Sequence, residues 1–253
     1  MTQRVLFVAA LGWEAHEITR CISGLEVSRA VDGRLWRGRS SDVWVLKTGV
    51  GPDRARQALG WAARTVEPRV VVSTGCGGAL TSDLSIGDLA IADEVVTNDG
   101  RSILAASSWR ERYQRAAKAA GVNSCSGRLL SLSAIVATAD EKRRLAGESR
   151  ALAVEMEAAA IGEWAIAAGA EFAACRVILD PAEMSLAPEI GAMMAPGGSL
   201  SLRKLVSALV LKPRLMSQLV ALGAAARRCR TALAAVHREL LRNLEGDGLL
   251  RND

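Results

Sequence analysis

A chain of 253 residues, half of them apolar, 23% charged and 4% aromatic, can build one large α/β domain, alone or with an appendage, and is too apolar for a disordered protein. Its five cysteines (Cys21, Cys76, Cys125, Cys175, Cys229) form no CxxC pair and are joined by only two histidines, His16 and His237, which argues against a structural zinc site and for reduced thiols in the cytosol. The net charge of +5 is concentrated: between Ser199 and Asn243 nine Arg or Lys face one acid, Glu239, so the rest of the chain is slightly acidic. A basic segment of this kind suits nucleic acid, anionic lipid or an ordinary solvated surface.

In chain order, Val5–Ala10 is a compact apolar run. Acidic residues follow it at Glu14 and Glu17, so it reads as a buried first strand and not as a signal peptide. Asp42–Lys47 predicts a second strand that ends at Thr48-Gly49-Val50-Gly51. Pro52 then opens a helix running to Val66. Arg69–Thr74 predicts a strand leading into a glycine-rich loop, Gly75-Cys76-Gly77-Gly78, and Leu89–Val96 another after the turn Ile86-Gly87-Asp88. Leu152–Glu155 is a short strand, Met156–Ala168 an Ala-rich helix, and Phe172–Leu179 a strand ending on Asp180-Pro181.

The alternation predicts an α/β domain with a central parallel or mixed sheet flanked by helices. In such sheets ligands gather beyond the carboxyl ends of strands, here at Gly49–Gly51, Gly75–Gly78 and Asp180. After Pro196-Gly197-Gly198 the character changes. Leu202–Leu211 predicts a short helix broken at Lys212-Pro213, and Arg214–Leu244 a long one with a stripe from Leu215 through Leu222, Cys229 and Val236 to Leu240. Two units follow: an α/β domain over 1–198 and a basic, amphipathic helical extension over 199–253. No apolar run reaches the roughly 18 residues of a membrane span.

Three carboxylates sit where strands end: Glu14, Glu157 in Val154-Glu155-Met156-Glu157, and Asp180. Singly, each has an ordinary reading, as a charge at a helix N-terminus or a turn cap. Together with Thr48–Gly51, the Thr74–Leu80 run TGCGGAL and Arg176–Asp180, their order and spacing over residues 5–182 resemble the nucleoside phosphorylase and nucleosidase superfamily, nearest its purine-cleaving members. Met194–Ser199 and the Lys212-Pro213 break into an Arg-rich helix further resemble the hopanoid-associated phosphorylases, in which adenosylhopane loses adenine.

The resemblance implies a cytoplasmic enzyme that cleaves the base–sugar bond of a purine nucleoside without metal or other cofactor and assembles as a homo-oligomer. It implies Asp180 as the general acid at the purine, Glu14 as the carboxylate that activates water, and Glu157 with Met156 on the ribose hydroxyls, oriented by Arg176. Gly51, Gly75, Cys76, Gly77 and Gly78 would form the backbone that approaches the sugar or an anion. Two positions depart from the pattern. Leu179 replaces the serine that usually precedes the catalytic aspartate, and Cys76 replaces a serine of the glycine-rich run. The acceptor stays open between water, favoured by Glu14, and phosphate, for which Arg54 at a helix start is a candidate. For the tail, docking on an anionic membrane face, lining the apolar part of the pocket, and packing on the catalytic domain or a second subunit all stay open. A nucleosidase for methylthioadenosine and a non-catalytic nucleoside sensor are the competing readings. Nucleic-acid binding lacks a motif, and aromatics for stacking are scarce.

Overall fold

The computed structural model describes residues 4–29, 33–39, 42–185 and 215–250. In chain order the elements are β1 (Val5–Ala9), α1 (Gly12–Thr19), β2 (Leu25–Arg29), β3 (Arg34–Gly38), β4 (Val43–Lys47), α2 (Pro52–Ala62), β5 (Val70–Ala79), β6 (Leu89–Thr97) and β7 (Ser102–Leu104). Then follow α3 (Ser107–Ala119), β8 (Ser124–Ser131), α4 (Ala139–Ser149), β9 (Ala151–Glu155), α5 (Ala158–Ala167), β10 (Glu171–Asp180) and α6 (Leu215–Gly246).

Among the described residues all ten strands belong to one mixed sheet, in the order β10-β6-β8-β9-β5-β1-β4-β3-β2 with β7 on β6. Because β10 also pairs with β5, five strands close into a ring, and β1, β4, β3 and β2 extend it as an open sheet. The central strands β1, β5 and β10 run parallel. Their near-continuous apolar sequence follows from burial on both faces, and every residue of β1 is buried. Helices α2 and α5 cover one face, whose core holds Leu59, Val71, Ile161 and Phe172. Helices α1, α3 and α6 cover the other, around Phe7, Ile18, Trp109 and Leu233.

Helix α6 is part of that second core. Cys229, Leu233, Val236 and Leu240 are fully buried against α1, α3 and β10, while Arg227, Arg228, Arg230, Arg238 and Arg242 face solvent. The stripe seen in the sequence therefore lies on the sheet over these positions. His237, on the same inner face, is fully buried. Its Nε2 is 3.2 Å from the Tyr113 hydroxyl and 3.4 Å from Thr74 Oγ1, and its Nδ1 2.9 Å from the Leu233 carbonyl oxygen. Burial lowers its pKa to about 4, so the ring is a neutral core group at physiological pH.

Several boundaries differ from the sequence expectation, and α2 stops at Ala62 and not at Val66. Gly75–Gly78 is not a loop: β5 continues through it, paired with β10 up to Gly78 and with β9 at Gly78 and Ala79. Glycine looks like turn chemistry in sequence, whereas here it serves the close approach of neighbouring side chains. Helix α5 begins at Ala158 and not at Met156, because the Glu155 carboxylate accepts the Glu157 N–H at 2.9 Å and the Ala158 N–H at 2.7 Å and so caps the helix from the strand before it. The expected Met194–Ser199 motif, the Leu202–Leu211 helix, the Lys212-Pro213 break and the domain boundary at 198/199 lie outside the described residues. No helix among the described residues is long and apolar enough to cross a membrane.

Candidate active site

A cavity of about 190 Å³ opens where the carboxyl ends of β1, β9 and β10 meet the middle of β5, the place that parallel-sheet topology favours for a ligand. Helix α1 starts just beyond β1. Its third residue, Glu14, turns its carboxylate back so that Oε2 accepts the Leu11 N–H at 2.8 Å. Oε1 accepts the Cys76 N–H from β5, also at 2.8 Å. A Cβ on Gly75 would stand 2.8 Å from that oxygen, so only glycine admits the carboxylate here. Burial raises the Glu14 pKa, against the two N–H bonds and the field of Arg176.

Glu157 stands at the N-cap of α5, and its Oε1 accepts the Gly51 N–H at 2.7 Å. Burial and the adjacent Glu155 push its pKa up to about 7, opposed by Arg176 and the Gly51 N–H, with Glu14 adding a small push upward. Arg176 is buried under these groups. It donates to Glu155 Oε2, to Ser73 Oγ at 2.8 Å and to the Cys175 carbonyl at 2.7 Å. Its direct partner is thus Glu155, and it reaches Glu157 only through its field. That corrects the expected contact: Glu155, the last residue of β9, makes it, while Glu157, two positions on, lies beyond the strand at the N-cap of α5. Glu155 Oε1 is buried on the cavity wall without a partner among the described residues.

Asp180 ends β10, where a Cβ on Gly78 would meet its Oδ2 at 3.0 Å. The ammonium of Lys142, from α4, donates to the same oxygen. Burial raises the Asp180 pKa and Lys142 opposes the rise. Nine of the ten expected site residues (Glu14, Gly75, Cys76, Gly77, Gly78, Met156, Glu157, Arg176 and Asp180) line this one cavity. Gly51 does not, and acts through its N–H on Glu157. Arg54 is also absent from the wall; its side chain packs over Gly49, 3.1 Å from the Cβ position there. Val50, Ile135, Val136, Leu179 and Leu222 add an apolar wall, the last of them from α6.

Residues 4–195 match the phosphorylase superfamily. The chain belongs to that superfamily. A 5'-methylthioadenosine/S-adenosylhomocysteine nucleosidase of Haemophilus ducreyi is 27% identical over 202 residues, which is 72% of this chain and 87% of the relative. Two solved structures share the fold at 18% identity and a TM-score of 0.75. One is the nucleosidase of the same name from Neisseria meningitidis in complex with methylthio-immucillin-A, covering 95% of this chain and 99% of its own. The other is the futalosine hydrolase of Helicobacter pylori, covering 96% and 99%.

As an enzyme of the phosphorylase superfamily, the chain places two residues in its site that carry no motif of their own. Glu155 is hidden between Val154 and Met156 as an ordinary strand residue. Lys142 reads as one more charge in the first turns of α4, although Lys142 and Leu145 are the two buried residues of that helix, and a lysine three positions before an inward leucine is the available signal. Among the described residues no three His, Cys, Asp or Glu side chains gather as a metal site.

The raised pKa of Glu157 has a consequence for stability. Between pH 4.5 and about 7 the unfolded chain has lost this proton while the folded enzyme keeps it, so stability is fully present below that window and falls as pH rises through it. Glu157→Gln removes the titration and can still accept the Gly51 N–H. Thermal melts at pH 5 and pH 8 are expected to show the Gln variant gaining on the wild type at the higher pH. A difference that does not change with pH contradicts the shift.

Proposed function

We propose that this superfamily enzyme cleaves the N-glycosidic bond of an adenine nucleoside, with water as the acceptor. The observation that carries the reading is the convergence of Glu14, Glu157 and Asp180, from α1, the β9–α5 turn and β10, on one largely apolar cavity. Breaking this bond leaves an oxocarbenium-like sugar, so the base needs a proton, the cation needs negative charge and the sugar carbon needs a nucleophile. Asp180, its pKa raised by burial, supplies the proton to the purine. Glu157, with Met156, holds the ribose hydroxyls and, once ionised as pH rises past about 7, places negative charge beside the sugar. Glu14, fixed by two backbone N–H groups, accepts a proton from the attacking water.

Phosphate would need fixed cationic donors. Arg176 is committed to Glu155, Ser73 and a carbonyl.

For the substrate beyond adenosine we propose an adenosylated hopanoid. The apolar wall of Val50, Ile135, Val136, Leu179 and Leu222 supports a hydrocarbon substituent. The names of the similar nucleosidases favour a second reading, a small nucleoside such as methylthioadenosine. Adenine release from adenosylhopane and from methylthioadenosine decides between them. A kcat/KM at least about tenfold higher for the lipid, a difference of roughly 1.4 kcal/mol in transition-state binding, is the expected result. Equal or better use of methylthioadenosine overturns the lipid assignment. Release of adenine from neither overturns the activity.

A further inference from the structure

We propose that Lys142 is the positioning residue of the base-protonating carboxyl, holding Asp180 from α4 where Leu179 offers no hydrogen bond. The inference rests on Asp180 being the proton donor and adds the group that orients it and sets the pH at which it is loaded. Lys142 has no exposed surface. Its ammonium donates to Asp180 Oδ2, to the Pro181 carbonyl at 2.8 Å and to the Met184 carbonyl at 3.2 Å. An ammonium has three N–H donors, and all three are in use, so Lys142 has none left for a substrate.

A buried lysine is costly unless it is paired and hydrogen-bonded, and here it is both. Its two carbonyl anchors lie in the four residues after Asp180. The cation therefore ties together the carboxyl and the turn that follows β10.

With Oδ2 held by Lys142, Oδ1 accepts no hydrogen bond from the described residues, and Asp180 lies on the cavity wall. Oδ1 is thus the oxygen that carries the transferable proton. The charges around Asp180 come from few elements. Strand β5 contributes Gly78 and no side chain, Arg176 on β10 is bound to Glu155, and Glu157 is turned to Gly51. Lys142 on α4 is the charge in contact with the carboxyl. An adjacent cation disfavours the protonated carboxyl. Removing it lets the carboxyl keep its proton to higher pH, while the carboxyl itself loses its anchor.

The test is the pH profile of kcat/KM for adenine release by wild type, Lys142→Met, Lys142→Gln and Asp180→Asn. In Lys142→Met the alkaline limb is expected to move up by about one pH unit or more, with kcat lowered roughly tenfold to a hundredfold by misplacement and KM little changed. Lys142→Gln keeps a donor in the same buried site without the charge. Its limb is expected to move up likewise with a smaller fall in kcat, and it carries the test independently of how Lys142→Met folds. Limbs of both variants superposing on wild type, with Asp180→Asn inactive, overturn the role of Lys142 alone. An Asp180→Asn variant as active as wild type overturns the acid assignment and this inference with it.

Discussion

Replacing Asp180 by Asn is expected to lower kcat/KM for adenine release by roughly 10²–10⁴-fold, the usual contribution of a positioned general acid. The substitution keeps the shape of the side chain and leaves room beside Gly78, but an amide has no proton of suitable acidity to give to a leaving purine. A second effect follows from the partner. Lys142 would lose its counter-charge while fully buried, and stranding one member of a buried pair costs about 3–5 kcal/mol. Asp180→Asn is therefore expected both to melt lower and to lose activity, and kinetics measured well below its melting point separate the two. Activity within a few fold of wild type in the folded variant contradicts the assignment.

Glu14→Gln is expected to cost a comparable roughly 10²–10⁴-fold, through loss of the base that takes the proton of water. Here too the geometry adds a structural cost. Both carboxylate oxygens accept backbone N–H groups, one from Leu11 and one from Cys76. A glutamine has one oxygen, so its NH₂ must face one of those donors and leave it unsatisfied, at about 1–3 kcal/mol. Assays with and without phosphate show which acceptor Glu14 serves. A loss that is equal in both buffers supports water. Activity restored by phosphate would mean that the enzyme attacks with phosphate and that Glu14 has another task.

The central strands and the positions of the three carboxylates were legible because they rest on local patterns. β1, β4, β5 and β10 are apolar runs that cannot be exposed, and Glu14, Glu157 and Asp180 fall where those runs or β9 end. The peripheral hairpin β2–β3 was not legible: most residues of β2 are exposed, so no inward pattern marks it. Helix α3 is mostly polar, and Trp109 and Tyr113, which anchor it, are read as core only once α6 is in place. Sequence order shows glycines at Gly75–Gly78 but not the groups they make room for, which are the Glu14, Arg176 and Asp180 side chains from α1 and β10 and the Val154 carbonyl of β9.

The ion pairs were hidden for a related reason. Arg176 and Glu155 are 21 positions apart and Lys142 and Asp180 are 38 apart, joined only by the closing of β10 onto β5 and the packing of α4 beneath its end.

Adenine release in phosphate-free buffer made with H₂¹⁸O tests the central claim most directly. The expected result is stoichiometric adenine and a sugar product carrying ¹⁸O at its anomeric carbon. No adenine under these conditions, or adenine that forms only when phosphate is added and leaves a sugar 1-phosphate without ¹⁸O at that carbon, would contradict hydrolysis by Glu14 and Asp180.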